Sequence, residues 1–152
     1  TEQQWRAPYQ TLFERREVEK VYDALAPVRA DLKFPLVVRN HIVKEVGIIQ
    51  AKVLDDEPPN AETMVELVEM RGEIGRYVLR PRTGKTHQLR IQLSGLRIPI
   101  LCDPWYPEVL TVNIDDFSTP LQLIARELSF VDPIDGTQRT FTSNRELDWP
   151  TR

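Results

Sequence analysis

The chain has 152 residues, enough for one hydrophobic core and too few for two ordinary domains. At 41% hydrophobic and 28% charged residues, it lacks the apolar poverty that marks a disordered segment. A net charge of -3 argues against non-specific nucleic-acid binding by the whole surface but not against a local basic groove, and the lone Cys102 excludes an internal disulfide framework.

Trp5, Tyr9, Leu12 and Phe13 fall at i, i+4, i+7 and i+8, the spacing of a helix face docked on a core, with Glu14 to Glu17 as its charged exit. Glu17 to Leu25 follows as a short strand, with Val18, Lys20, Tyr22 and Ala24 on one side and Val21 and Leu25 on the other. Pro27 ends it, and the chain reads as loop up to Pro35. From Pro35 to Ile49, β-branched residues broken by Arg39-Asn40-His41 support one or two strands without fixing their limits. Asp55 to Asn60 is a polar break containing Pro58 and Pro59, neither of which can donate to a sheet ladder. Thr63, Val65 and Leu67 then alternate with Glu62, Met64 and Glu66 as in a half-buried strand. Arg71-Gly72-Glu73 turns the chain into a second strand, Ile74 to Arg80, where Tyr77 and Leu79 point one way and Arg76, Val78 and Arg80 the other.

Leu89, Leu93 and Leu96 mark the buried face of a short helix starting near Thr86, with Gly95 as its stop and Pro99 preventing continuation. His87, Arg90 and Ser94 share another face of it. Leu101 to Thr119, with Pro104, Pro107 and Asp115-Asp116, reads as an irregular surface excursion. Leu121 to Phe130 and Gln138 to Thr142 are strand-like and joined by the turn formers Asp132-Pro133-Ile134-Asp135-Gly136. The expectation is an α+β fold: one domain over residues 1–152, a mainly antiparallel mixed sheet and a few packed helices.

Function is concentrated in Leu79 to Ile91. Arg76, Arg80, Arg82, Lys85, Arg90 and Arg97 follow one another with no Asp or Glu between them. A loop leading into a helix start would offer unpaired N–H groups and the positive dipole end to an anion. The ordinary alternative is a solvated basic turn before a helix. Thr83-Gly84-Lys85-Thr86 is not a nucleotide-cradling P-loop, because Leu79 stands where the first glycine belongs and Pro81 removes a cradle N–H. A Gly-x-Ser-x-Gly elbow and a Gly-x-Gly-x-x-Gly fingerprint are both absent. A metal site would have to be assembled from His41, His87, Cys102 and scattered carboxylates, so none is expected. No apolar run approaches membrane-spanning length and the N-terminus has no signal pattern, so a cytoplasmic location without membrane partners is the expectation.

Arg82-Thr83-Gly84-Lys85-Thr86-His87-Gln88-Leu89-Arg90 resembles the signature of the RluA-type RNA pseudouridine synthases. The likeness continues in order along the chain. Val18 to Ala24 looks like that family's tyrosine strand, Ala61-Glu62-Thr63 like its Ala-x-Thr strand, and Pro99 to Tyr106 like its Pro-Ile-x-Gly-Asp-x-x-Tyr segment. Leu123-Ile124-Ala125, with Phe130 and Pro133, resembles its closing hairpin. The resemblance implies the C-terminal portion of a pseudouridine synthase catalytic domain. Such enzymes detach a uracil from its ribose, turn it and rejoin it through carbon, without cofactor or metal. The implied partner is structured RNA, ribosomal or transfer, with no DNA, acted on by a monomer.

By the same resemblance, Arg90 pairs with the catalytic aspartate, Tyr22 packs on the uracil and Leu123 forms the apolar pocket wall. Arg82, Lys85 and His87 suit phosphate and loop positioning, and His87 suits equally a structural hydrogen bond at a helix start. Taken singly, Tyr22 and Leu123 would be read as core residues and Arg90 as a surface charge. Their joint order beside the signature gives them the functional reading.

The family's nucleophile is an aspartate in an Arg-Leu-Asp setting well before the tyrosine, and no aspartate of this chain has that context. The expectation is therefore that the aspartate lies upstream of Thr1; the alternative is a non-catalytic RNA-binding relative of the same fold. Three residues depart from the family pattern: Cys102 replaces a usual glycine, and Gln92 and Ile124 each replace a histidine.

Overall fold

A computed structural model of the chain describes residues 18–85, 87–107 and 120–150. The helix expected around Trp5 to Phe13 lies outside the described residues. Those described form a seven-stranded sheet: β1 (Glu19–Pro27), β2 (Leu36–Val43), β3 (Lys52–Leu54), β4 (Ala61–Arg71), β5 (Ile74–Pro81), β6 (Leu123–Val131) and β7 (Gln138–Thr142). Their order is β3-β2-β4-β5-β1-β6-β7, and every ladder is antiparallel. The expectation of a mainly antiparallel sheet holds, with no parallel pair among the described residues to make it mixed.

The β4–β5 hairpin follows from its alternation. Ala61, Thr63 and Val65 of β4 and Tyr77 and Leu79 of β5 are buried on one face, while Met64 is exposed. β1 departs from simple alternation. Asp23 to Ala26, the C-terminal half of this interior strand, are all buried. Leu25 donates its N–H to the Gln122 carbonyl and accepts the Leu101 N–H. Tyr77, fully buried, donates its hydroxyl to the Pro27 carbonyl at 2.8 Å, and burial pushes that hydroxyl up to about 12.

One helix, α1 (Gln88–Gly95), is present among the described residues, fewer than the several packed helices expected. Leu89 and Leu93 pack it onto Ala24, Ala26, Val65, Tyr77 and Leu79, where the two alanines let it lie close to β1. Burial of two leucines there stabilises the fold by roughly 1.5–3 kcal/mol each. Ile91 turns toward a second cluster containing Ile42, Ala51, Ala61 and Tyr106. The helix begins at Gln88, close to the expected start. Its C-terminus is closed not by Gly95, its last helical residue, but by Arg97 in a left-handed conformation (φ 63), with Ile98 N–H reaching the Leu93 carbonyl.

Residues 101–107 correct a second expectation. They are no surface excursion: Asp103 and Tyr106 are buried. Residues 108–119, the remainder of that stretch, lie outside the described residues.

Candidate active site

The loop between β5 and α1 is fixed by Gln88. Its Oε1 accepts the Thr83 hydroxyl at 2.6 Å and the Lys85 N–H at 3.1 Å, and its Nε2 donates to the Glu62 carbonyl at 3.1 Å and to Thr63 Oγ1 at 2.8 Å. All the hydrogen-bonding capacity of this buried amide is used, as burial requires. Thr83 Oγ1 in turn accepts the Glu62 N–H at 3.0 Å, tying the loop back onto β4. Gln92, one turn further along α1, accepts the Thr63 hydroxyl and donates to Asn40. An amide thus satisfies the position where the family pattern has histidine.

Arg90 projects from α1 into a second network. Its Nε and Nη2 bind Asp103 Oδ2 and Oδ1 at 3.0 and 2.5 Å, with only 12% and 1% of the two side chains exposed. Asp103 Oδ1 also accepts the backbone N–H groups of Trp105 and Tyr106. The guanidinium lies 4.7 Å from the Trp105 ring and 5.4 Å from the Tyr106 ring, within cation–π range. Tyr106 receives the Ala51 N–H on its oxygen at 2.7 Å and meets His87 Nδ1 at 2.9 Å. His87 sits just before α1 in a left-handed conformation (φ 55). Burial, and next the Arg90 charge, push its imidazole below the usual histidine value, so it is neutral near pH 7.

These elements enclose a cleft of about 400 Å³. Tyr22 and Leu123 supply apolar walls, Lys85, His87 and Arg90 come from the loop and helix, and Lys20 enters beside Gly84. A Cβ on Gly84 would lie 3.3 Å from Lys20 Nζ, so the glycine leaves that ammonium room. Burial lowers the Lys20 pKa by disfavouring the charged ammonium, a penalty that a neighbouring anion would offset. The β1–β6 ladder shifts register between Val21 and Tyr22, with Arg126 of β6 as the extra residue, and Tyr22 lies opposite Ala125. The lining carries three cations and no carboxylate. Among the described residues no three His, Cys, Asp or Glu side chains gather as a metal ion would need.

Of the residues singled out from sequence, the cleft brings together Tyr22, Arg90, Leu123, Lys85 and His87. Arg82 is outside its lining, exposed and 3.2 Å from Glu62, which Arg39 also holds at 2.6 Å. Arg80 and Arg76 likewise face Glu66 and Glu69. Much of the basic run is therefore matched by acids on β4. Sequence reasoning missed Lys20, although its alternation with Tyr22 placed the two on one side of the strand. It also missed Asp103, Tyr106 and Gln88. The Arg90 side chain, expected to serve a carboxylate absent from the chain, has one within it.

A model of the RNA pseudouridylate synthase family matches residues 1–95. An uncharacterized RNA pseudouridine synthase of Haemophilus influenzae is 32% identical over 100 residues, covering 66% of this chain and 44% of that protein. The dual-specificity RNA pseudouridine synthase RluA of Salmonella typhi is 37% identical over 93 residues, 59% of this chain and 40% of the relative. The solved structure of human RNA pseudouridylate synthase domain containing 1 superposes with a TM-score of 0.70 at 23% identity, covering 91% of this chain and 59% of the other. That likeness establishes the fold. The chain belongs to the RNA pseudouridylate synthases, in the RluA-type family. It spans less than half the length of the first two relatives.

Proposed function

We propose that the protein containing this chain isomerises a uridine within structured RNA, ribosomal or transfer, to pseudouridine. The observation that carries the reading is the convergence of Tyr22 from β1, Arg90 from α1 and Leu123 from β6 on one cleft. The uridine leaves its stack at a cost of a few kcal/mol. Packing against Tyr22 offsets about 1–3 kcal/mol of that. The N1–C1′ bond then breaks, uracil turns, C5 joins C1′, and the proton lost from C5 is balanced by one gained at N1, with no cofactor in the balance. Lys20 and Lys85 suit the flanking phosphates. A nucleophilic aspartate supplied by sequence outside residues 1–152 meets the Arg90 donors that Asp103 leaves unused. The same cleft with Arg90 serving only Asp103 is the basis of the second reading, a non-catalytic RNA-binding relative.

The test is mass-spectrometric measurement of pseudouridine in transfer and ribosomal RNA incubated with the full-length protein. Native protein is expected to form it, and Arg90→Ala to abolish it while retaining much of the RNA affinity. Arg90→Lys, which keeps a charge beside Asp103, and urea unfolding separate loss of chemistry from loss of fold. Near-normal pseudouridine yield in Arg90→Ala refutes the role, and RNA binding by native protein without any pseudouridine favours the second reading.

A further inference from the structure

The sheet face that floors the cleft continues past Tyr22 onto β6 and β7, beyond the end of α1. Lys20 is opposite Leu128 and Leu128 opposite Phe141, so these three side chains form a cross-strand row on one face. Beside the row is a second hollow of about 340 Å³ whose lining includes Ala125, Glu127, Leu128 and Phe141 and shares Lys20 and Tyr22 with the cleft. Phe141 is 58% exposed on the edge strand, and its ring stacks on that of the buried Phe130 at 6.2 Å and 25°. An aromatic ring packed on a buried neighbour and still more than half exposed can serve as a stacking platform.

We propose that this second hollow is a subsite for the nucleotide adjacent to the target uridine, whose base stacks on Phe141 while the linking phosphate passes Lys20. The proposal rests on the uridine occupying the cleft. Continuity argues for this occupant, since Lys20 and Tyr22 belong to both hollows and a chain leaving one must cross them to enter the other. Chemistry argues for the orientation. Among the described residues Lys20 Nζ donates to the Thr83 carbonyl, at 3.4 Å, and an ammonium with three hydrogens keeps donors for a phosphate.

The experiment uses the full-length protein and three probes: uridine 5′-monophosphate, and the RNA trinucleotides C-U-C and U-U-U, with affinities from competition against a fluorescent RNA. The expected result is that both trinucleotides bind more tightly than the mononucleotide. Phe141→Ala should reduce the trinucleotide-to-mononucleotide affinity ratio about tenfold, in line with the loss of one base–aromatic stack. Phe141→Trp should restore it. An unchanged ratio in Phe141→Ala overturns the subsite, and if the variant instead only loses stability, Phe141 serves packing within the protein. Pseudouridine formed by a protein whose ratio ignores Phe141 refutes the subsite alone. Native protein that binds none of the probes and forms no pseudouridine refutes both proposals.

Discussion

Asp103→Asn tests whether the buried pair with Arg90 is what holds the site. The carboxylate accepts Arg90 Nε and Nη2 and the Trp105 and Tyr106 N–H groups, three of these four on Oδ1. If the asparagine oxygen takes the Oδ1 place, its amide N–H faces Arg90 Nε–H, donor against donor. If it flips, the Oδ1 bonds are lost instead. Either way the guanidinium, 12% exposed, keeps its charge without a counter-ion. Removing one member of such a pair costs about 3–5 kcal/mol. The Trp105 and Tyr106 rings, at 4.7 and 5.4 Å, retain some attraction for the stranded cation, which places the expected cost near the lower end, about 3 kcal/mol. Urea unfolding of the full-length protein measures it: with a slope of about 2 kcal/mol/M, the midpoint falls by roughly 1.5 M. Arg90→Met combined with Asp103→Asn removes both charges and should recover part of the loss, giving a coupling of about 2 kcal/mol. A midpoint within about 0.3 M of native for Asp103→Asn, or a negligible coupling, would falsify the assignment of Asp103 as the residue that fixes Arg90.

Lys85→Ala should weaken RNA binding and lower the slope of log affinity against log salt by about one, as for a single lost phosphate contact; an unchanged slope removes Lys85 from the RNA interface. Cys102 has φ 63, a conformation that costs a non-glycine residue about 1–2 kcal/mol. Part of the gain from Cys102→Gly is returned as unfolded-chain entropy, so a net stabilisation of about 0.5–1 kcal/mol by urea titration is expected, and destabilisation would contradict it. His87 is pushed down when folded, so below about pH 6.5 the unfolded chain takes up a proton that the folded protein resists. Stability should be full above that pH and fall as pH drops toward the folded value. His87→Gln should remove that part of the pH dependence, and identical profiles would exclude it.

The fold was legible wherever one residue type repeated with the right period. The β4–β5 hairpin came from alternating Val, Leu and Glu, and α1 from Leu89 and Leu93. What could not be read was pairing across distance. Arg76 and Arg80 belong to an uninterrupted basic run in sequence, but their acids are on the neighbouring strand, and a run examined alone shows no Glu66 or Glu69. Asp103 was hidden because Pro104 and Pro107 make its surroundings look like surface, whereas its place depends on Cys102 adopting a left-handed turn and on two backbone N–H groups folding over its carboxylate. Phe141 gave no signal, since an aromatic residue on a strand is ordinarily core.

The Arg90–Asp103 pair changes what the basic signature does in this chain. A lone arginine facing a cleft would have to be ordered by the ligand, at an entropic cost of up to about 2 kcal/mol for so long a side chain. Here Asp103 holds Nε and one Nη2 hydrogen while Trp105 and Tyr106 pack on the guanidinium, so its direction is set before any ligand enters the cleft. The Nη1 hydrogens and the second Nη2 hydrogen are the donors left for a partner in the cleft. A second carboxylate meeting them would meet a charge already half-balanced, which weakens the pull on it but fixes its geometry. If the proposed isomerisation uses an aspartate that must be both ionised and placed to within a fraction of an ångström, fixed geometry is the larger contribution.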